Sequence, residues 1–191
     1  MARIFAHELG VAYDFRVVPD LMSASAAAYA GNPALRLPIL EAASGTWFGT
    51  LNICRELTRQ SERTLHIVWP EHLEHALLAN AQEFSVQAMT TEVALVMAKL
   101  AHSDPQNAHQ TKQQASLLNL LAWLEANVNE ALAALPAQRE LSYFETTLFC
   151  LMTHLEFRQV LSVTTYPALG AFCAHFATRD SARETPFFFD P

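Results

Sequence analysis

Apolar and polar positions alternate one by one from Tyr13 to Val17: Tyr13, Phe15 and Val17 interleave with Asp14 and Arg16. A period of two predicts a β-strand with one covered face. Ahead of it, Met1 to Leu9 reads as the end of a helix closed by Gly10, the residue best suited to a left-handed C-cap. Asp20 to Gly31 is small and alanine-rich, a short helix or an ordered loop. Leu37–Leu40 and Thr46–Phe48 read as two short strands joined by a Ser-Gly turn. A helix over Thr50–Gln60 follows, with Thr50 as its N-cap.

Beyond about residue 61 the spacing changes to three and four, and no further strand is expected; one after residue 75 would refute this reading. A long helix is predicted from Pro70, a residue suited to a first helical turn, to the break at "HSDPQN". A second carries Leu117, Leu120, Leu121, Leu124, Val128, Leu132 and Leu135 as an apolar stripe and stops at Pro136. Ser142 and Glu145 form a Ser-x-x-Glu capping box ahead of a third helix. "YPALGAFCAHFATR" is a last helix and "DSARETPFFFDP" a tail. A small α/β part thus precedes a larger helical one, with the seam near residues 60–69.

Composition narrows the function classes. The chain has 191 residues, 51% apolar and 16% charged, as a folded domain needs. Lys and Arg total 12 against a net charge of −7, with no basic run, so no nucleic-acid partner is expected. No apolar run is long enough to span a membrane, and the first residues lack the order of a secretion signal. Cys54, Cys150 and Cys173 read as reduced thiols of a cytoplasmic protein, without zinc spacing. His72 and His75, beside Glu71 and Glu74, could share a metal, but a solvated helix start explains them as well, and no metal is expected. Cys54, near a helix start, is either a thiol of lowered pKa or a buried one, and burial is favoured. Trp69 and the "PFFF" tail are either a partner surface or a cover for the core. Pro38 stands inside an apolar strand, which marks an edge, a bulge or a special bend.

The order "AHELGVAYDFRVV", "NPALRLPIL", "WFGTLNICREL", "LSYFETTLFC", "YPALGAF" and "RETPFF" resembles the soluble glutathione transferases over nearly the whole chain. The resemblance implies an α/β thioredoxin-like N-terminal domain over residues 1–60, incomplete at its start, and an all-α helical-bundle domain over 66–191. It implies a cis peptide before Pro38, with the Leu37 N–H and C=O turned outward to pair with the cysteinyl backbone of glutathione. Gly49 and Thr50 stand where the family has an acidic-Ser pair that holds the γ-glutamyl end, and Arg36 falls near the glycyl carboxylate. Gly49 brings no carboxylate, whereas Thr50 keeps a hydroxyl and either caps the helix or meets the ligand.

"MARIFAHELG" resembles only the rear of the family's first helix, so the first strand and the catalytic Tyr, Ser or Cys have no counterpart. No catalytic residue is assigned; Arg3 is expected on a solvated helix face and His7 outside the reacting centre. Without a first strand, residues 13–17 and 37–40 face a gap in the sheet. Unpaired buried backbone groups cost ~1–3 kcal/mol each, so the two strands pair directly, another segment fills the gap, or the natural chain is longer. The implied activity is conjugation or reduction of small hydrophobic electrophiles with glutathione as cosubstrate; the alternative is a non-catalytic dimerisation or protein-interaction module. A homodimer is implied, with Phe84, Met89 and Val96 on the long helix after residue 70.

Overall fold

Ile4, Phe5 and Leu9 in the first helix are spaced to share one side, and burying them needs a partner surface. In the computed structural model, which describes residues 1–188, helix α1 (Ala2–Leu9) packs on α2 (Thr50–Gln60), where Ile53, Cys54 and Leu57 are buried against solvent. Gly10 ends α1 in the left-handed conformation, at φ 67°. A Cβ there would meet the Arg63 side chain at 2.8 Å, and the Arg63 guanidinium caps the helix by donating to the Glu8 carbonyl. Residues Ala26–Tyr29 form one 3₁₀ turn, anchored by the Tyr29 hydroxyl donating to the Leu21 carbonyl at 2.8 Å. The sheet is an antiparallel hairpin, β1 (Ile39–Ala42) with β2 (Gly45–Phe48), in the register Ile39 to Phe48 and Ala42 to Gly45. These residues form one compact unit, Met1–Thr64, together with the described residues from Ser181 on.

The expected strand at 13–17 does not form. Among the described residues, no backbone group from Ala12 to Val18 makes a hydrogen bond, and the segment pairs with neither β1 nor any other strand. Alternation can mark a strand, but a strand also needs ladder bonds to a neighbour, and among the described residues this segment makes none.

The second unit, Leu65–Asp180, is helical. After a 3₁₀ turn at Pro70–His72, helix α3 (Ala76–Leu100) starts six residues later than its proline predicted. It packs along α4 (Ala108–Ala133), whose first turn is capped by the Asn107 side chain accepting from the Gln110 N–H at 2.9 Å. Leu117, Leu121, Leu124, Val128 and Leu135 of the expected stripe are at most 4% exposed, while Leu120 and Leu132 lie at its half-buried margin. Each fully buried leucine of this kind contributes ~1.5–3 kcal/mol of transfer free energy. Helix α5 (Tyr143–Phe157) is buried nearly all round and α6 (Pro167–Phe176) packs on it. A four-residue helix, α7 (Asp180–Arg183), spans the end of this unit and the return to the first.

The expectation of no strand beyond residue 75 is corrected. A two-residue strand β4 (Leu141–Ser142) pairs in parallel with β3 (Ile67–Val68). Two residues are too few to produce a period, and β4 leads straight into the cap of α5. There the Ser142 hydroxyl accepts from the Glu145 N–H, but the Glu145 carboxylate turns to Arg139 in two contacts of 2.7 Å. The capping box is therefore half made.

Candidate functional site

The candidate site residues lie within the first unit, where the hairpin opens. The ladder ends at the pair Ile39–Phe48, so the chain leaves this end on one side through Pro38 and Leu37 and on the other through Gly49 and Thr50. The peptide between Leu37 and Pro38 is cis, as the resemblance implied. Leu37 is 49% exposed, and among the described residues neither its N–H nor its C=O makes a hydrogen bond. The loop ahead of it is held by Asn32, which is 4% exposed. Its side chain accepts from the Ala34 N–H at 3.0 Å and donates to the Arg36 carbonyl at 2.7 Å. The Asn-Pro step was visible in the sequence; what the asparagine holds was not, because its partners lie in a loop without periodicity. The Arg36 side chain is exposed.

Opposite Leu37 stands the start of α2. Gly49, not Thr50, is the N-cap, at φ 82° and ψ 136°, a conformation that disfavours any residue with a side chain. Thr50 is therefore the first helical residue, and its hydroxyl caps nothing. The first backbone bond of the helix runs from the Ile53 N–H to the Gly49 carbonyl at 3.0 Å. The N–H groups of Thr50, Leu51 and Asn52 are left without an acceptor among the described residues, as the geometry of a helix start dictates.

The hairpin is tied to α2 by a buried carboxylate that sequence reasoning missed. Glu56, 4% exposed, accepts a short hydrogen bond from the Ser44 hydroxyl at the hairpin turn. It also meets Arg59 at 2.8 Å and Gln60 at 2.9 Å. The Ser44 bond, followed by that from Gln60, holds its carboxyl below the ordinary glutamate range. Ser44 in turn accepts from the Trp47 indole at 3.0 Å, and the Arg59 guanidinium lies 4.9 Å from that ring's centre. These contacts fix the hairpin's open end relative to the helix start.

The remaining candidates fall elsewhere. Arg3 is half-buried with its hydrogen bonds at the exposed surface, its guanidinium 4.9 Å from the Phe15 ring centre and 5.5 Å from that of Phe188, while His7 is exposed. Cys54 is fully buried, and burial, with Glu156 nearby, pushes the Cys173 thiol up to about 12. His72 accepts from the Trp69 N–H through Nδ1 at 3.2 Å. Among the described residues no three His, Cys, Asp or Glu side chains gather to hold a metal, and no helix is long and apolar enough to cross a membrane. Of the "PFFF" tail, Phe187 and Phe188 are 40% and 49% exposed, and Phe189 lies outside the described residues.

A cis-proline hairpin with an open helix start, ahead of a helical unit, defines a thioredoxin-like N-terminal domain joined to a helical C-terminal one. The family model for the glutathione S-transferase N-terminal domain matches residues 1–60. A glutathione S-transferase from Methylobacillus flagellatus, solved with glutathione bound, superposes with a TM-score of 0.74 at 20% identity, covering 96% of this chain and 91% of that one. One from Methylobacterium radiotolerans, in complex with glutathione sulfonate, gives 0.71 at 15% identity, with 99% and 90% covered. A glutathione transferase family member from Pseudomonas fluorescens with bound glutathione gives 0.69 at 20% identity, with 96% and 91% covered. None of the curated proteins matches the chain by sequence. Residues 1–60 thus belong to the glutathione S-transferase N-terminal domain family, and the chain has the glutathione S-transferase fold.

Proposed function

We propose that this chain binds glutathione at the open end of the β1–β2 hairpin. The Leu37 N–H and C=O pair with the cysteinyl backbone, and Pro38 and Gly49 shape the two backbones that line the site. The Thr50 hydroxyl and the N–H groups at the start of α2 receive the γ-glutamyl carboxylate, because a helix start favours an anion. Arg36 meets the glycyl carboxylate. The observation that carries this reading is the pairing of two open sets of backbone groups, at Leu37 and at Thr50–Asn52, at one end of one hairpin. The glutathione in the Methylobacillus and Pseudomonas neighbours supports the choice of ligand.

Glutathione then acts as cosubstrate, without a metal, for conjugation or reduction of small hydrophobic electrophiles. The rate expected of these residues is low. The thiolate is the reactive form, and the first turn of α1, Ala2 to Phe5, has no hydroxyl or thiol to stabilise it. One preorganised donor to an anion is worth ~2.7–4 kcal/mol, a factor of about a hundred to a thousand.

Calorimetric titration with glutathione, beside a conjugation assay with an aromatic electrophile, tests both parts. Saturable binding with turnover close to the uncatalysed rate is expected. No heat of binding at millimolar glutathione overturns the site. Turnover far above background, abolished by Thr50→Ala, overturns the low rate.

A second reading, a non-catalytic dimerisation module, has its own observation. Val86, Val93 and Leu100 recur every seven residues on α3 and are 37%, 42% and 47% exposed. A seven-residue repeat keeps them on one side of the helix, an apolar stripe suited to a second copy of the chain. Sedimentation returning a monomer at micromolar concentration counts against the homodimer. A cytoplasmic location rests on the three cysteines standing outside any disulfide, as thiols do where they are kept reduced.

A further inference from the structure

The backbone at the open end of the hairpin offers mostly donors. The N–H groups of Thr50, Leu51 and Asn52 have no acceptor among the described residues, and a helix start bears a partial positive charge. The carbonyls beside them are already engaged. That of Gly49 accepts from the Ile53 N–H at 3.0 Å, and that of Phe48 from the Asn52 side chain at 3.2 Å. Across the end, the Arg36 carbonyl accepts from Asn32 at 2.7 Å. The segments that form this end, residues 31–42 and 45–60, carry two carboxylates, Glu41 and Glu56. Glu41 lies inside the ladder opposite Thr46 and meets Arg16 at 3.3 Å. Glu56 lies beyond the first turn of α2, held by Ser44, Arg59 and Gln60. Gly49, at φ 82° and ψ 136°, brings no side chain.

We propose that the α2 end of this site selects a carboxylate and not an amino acid: its ligand class is the cysteinyl peptides N-acylated by a dicarboxylate, and the ammonium group of glutathione adds nothing to binding. This rests on the reading of the hairpin end as the glutathione site. The γ-glutamyl end carries its carboxylate and its ammonium on one carbon. Where the carboxylate meets the N–H groups of α2, the ammonium is carried to the same positive end. A helix start attracts the first and repels the second. No carboxylate of the two segments stands at the helix start to offset that repulsion, and the flanking carbonyls already hold donors. A ligand that keeps the carboxylate and drops the ammonium therefore loses no partner on this chain.

The test is calorimetric titration of the full chain at neutral pH with three reduced ligands. They are glutathione, glutaryl-cysteinyl-glycine, which lacks only the ammonium, and glutathione with its γ-glutamyl carboxylate converted to the amide. The glutaryl peptide is expected to bind as tightly as glutathione or up to about fivefold more tightly, the range of one charge at a helix end. The amide is expected to bind about tenfold more weakly, because it exchanges a charged acceptor for a neutral one. A glutaryl peptide that binds more than about fivefold more weakly than glutathione overturns the inference and leaves the glutathione site standing. An amide that binds as glutathione does overturns it as well, since the carboxylate is then not what the helix start receives. Binding of the glutaryl peptide alone supports it. If none of the three binds at millimolar concentration, the site itself falls and this inference with it.

Discussion

Two helix starts in this molecule meet the same physical problem in opposite ways. At α6 the N–H groups of Ala168 and Leu169 are taken by both oxygens of Glu125, at 2.8 and 2.9 Å, from a residue 43 positions away on α4. At α2 the corresponding groups of Thr50, Leu51 and Asn52 meet no acceptor, and the N-cap is a glycine without a side chain. Both ends carry the same partial positive charge. Where the chain supplies its own carboxylate, the helix start is structural. Where it supplies none and leaves the end beside an open Leu37 backbone, the helix start is open to the carboxylate of the ligand proposed above. Glu56, the nearest buried carboxylate on α2, is no substitute: it lies beyond the first turn and is committed to Ser44, Arg59 and Gln60.

Removing the carboxylate that α6 uses breaks the contrast most severely. Glu125→Ala leaves two N–H groups of a packed helix without a partner. Hydrogen bonds to a charged group contribute ~1.5–3 kcal/mol and lost caps ~0.5–2 kcal/mol, so a destabilisation of about 2–3 kcal/mol is expected in the denaturant midpoint. Glu125→Gln keeps one good acceptor and should lose about half as much. A loss within 0.5 kcal/mol for Glu125→Ala, the range of ordinary surface changes, would mean that water caps α6 as well as the carboxylate does.

Glu56 sharpens the difference through pH. Its folded pKa is lowered from 4.5, chiefly by the Ser44 hydrogen bond. The stabilisation linked to a lowered carboxyl pKa is present above the unfolded value and is lost as pH falls through the folded one. Glu56→Gln should therefore be less stable than the parent at pH 7, with the gap closing below about pH 4.5. Urea midpoints across that range check the sign; a gap that widens on acidification contradicts it. The effect is expected to be smaller than at Glu125, because Ser44 and Arg59 are exposed and solvent screens their contacts.

What the sequence made legible was local. The left-handed Gly10, the extent of α2, the α4 stripe and the Ser142 cap each depend on residues within one or two turns, and each stands where spacing put it. Contacts across the chain left no such trace: nothing near Glu125 points to Ala168, and nothing near Glu56 points to Ser44. Tyr13 to Val17 misled because alternation describes the segment and not its neighbour. Thr50 was misplaced by one residue as a cap because the φ of Gly49, 82°, moves the boundary and has no side-chain signature. Of the candidate site, the cis bond before Pro38 and the N–H groups offered at the start of α2 were expected through the resemblance to the glutathione transferases, whereas the place of Gly49 at the N-cap showed only in the backbone.

The smallest expected effect on stability falls at the open helix start, and there binding and folding come apart. Thr50 is the first helical residue and its hydroxyl holds no backbone group, so Thr50→Ala should move stability by no more than about 0.5 kcal/mol. Thr50→Pro should be tolerated as well, since the first helical position needs no N–H and suits the fixed φ of proline. Glutathione reads the two changes differently. Alanine removes the hydroxyl and proline removes both the hydroxyl and one open N–H; at ~0.5–1.5 kcal/mol per hydrogen bond, Kd should rise about two- to tenfold for alanine and further for proline. Leu37→Ala, which keeps the backbone and discards an exposed side chain, should leave Kd unchanged. Calorimetry on the three variants, beside their urea midpoints, separates a helix start left open for a ligand from one merely exposed to water. If Thr50→Pro binds glutathione as the parent does, the carboxylate is not received at α2, and the contrast with α6 is one of capping alone.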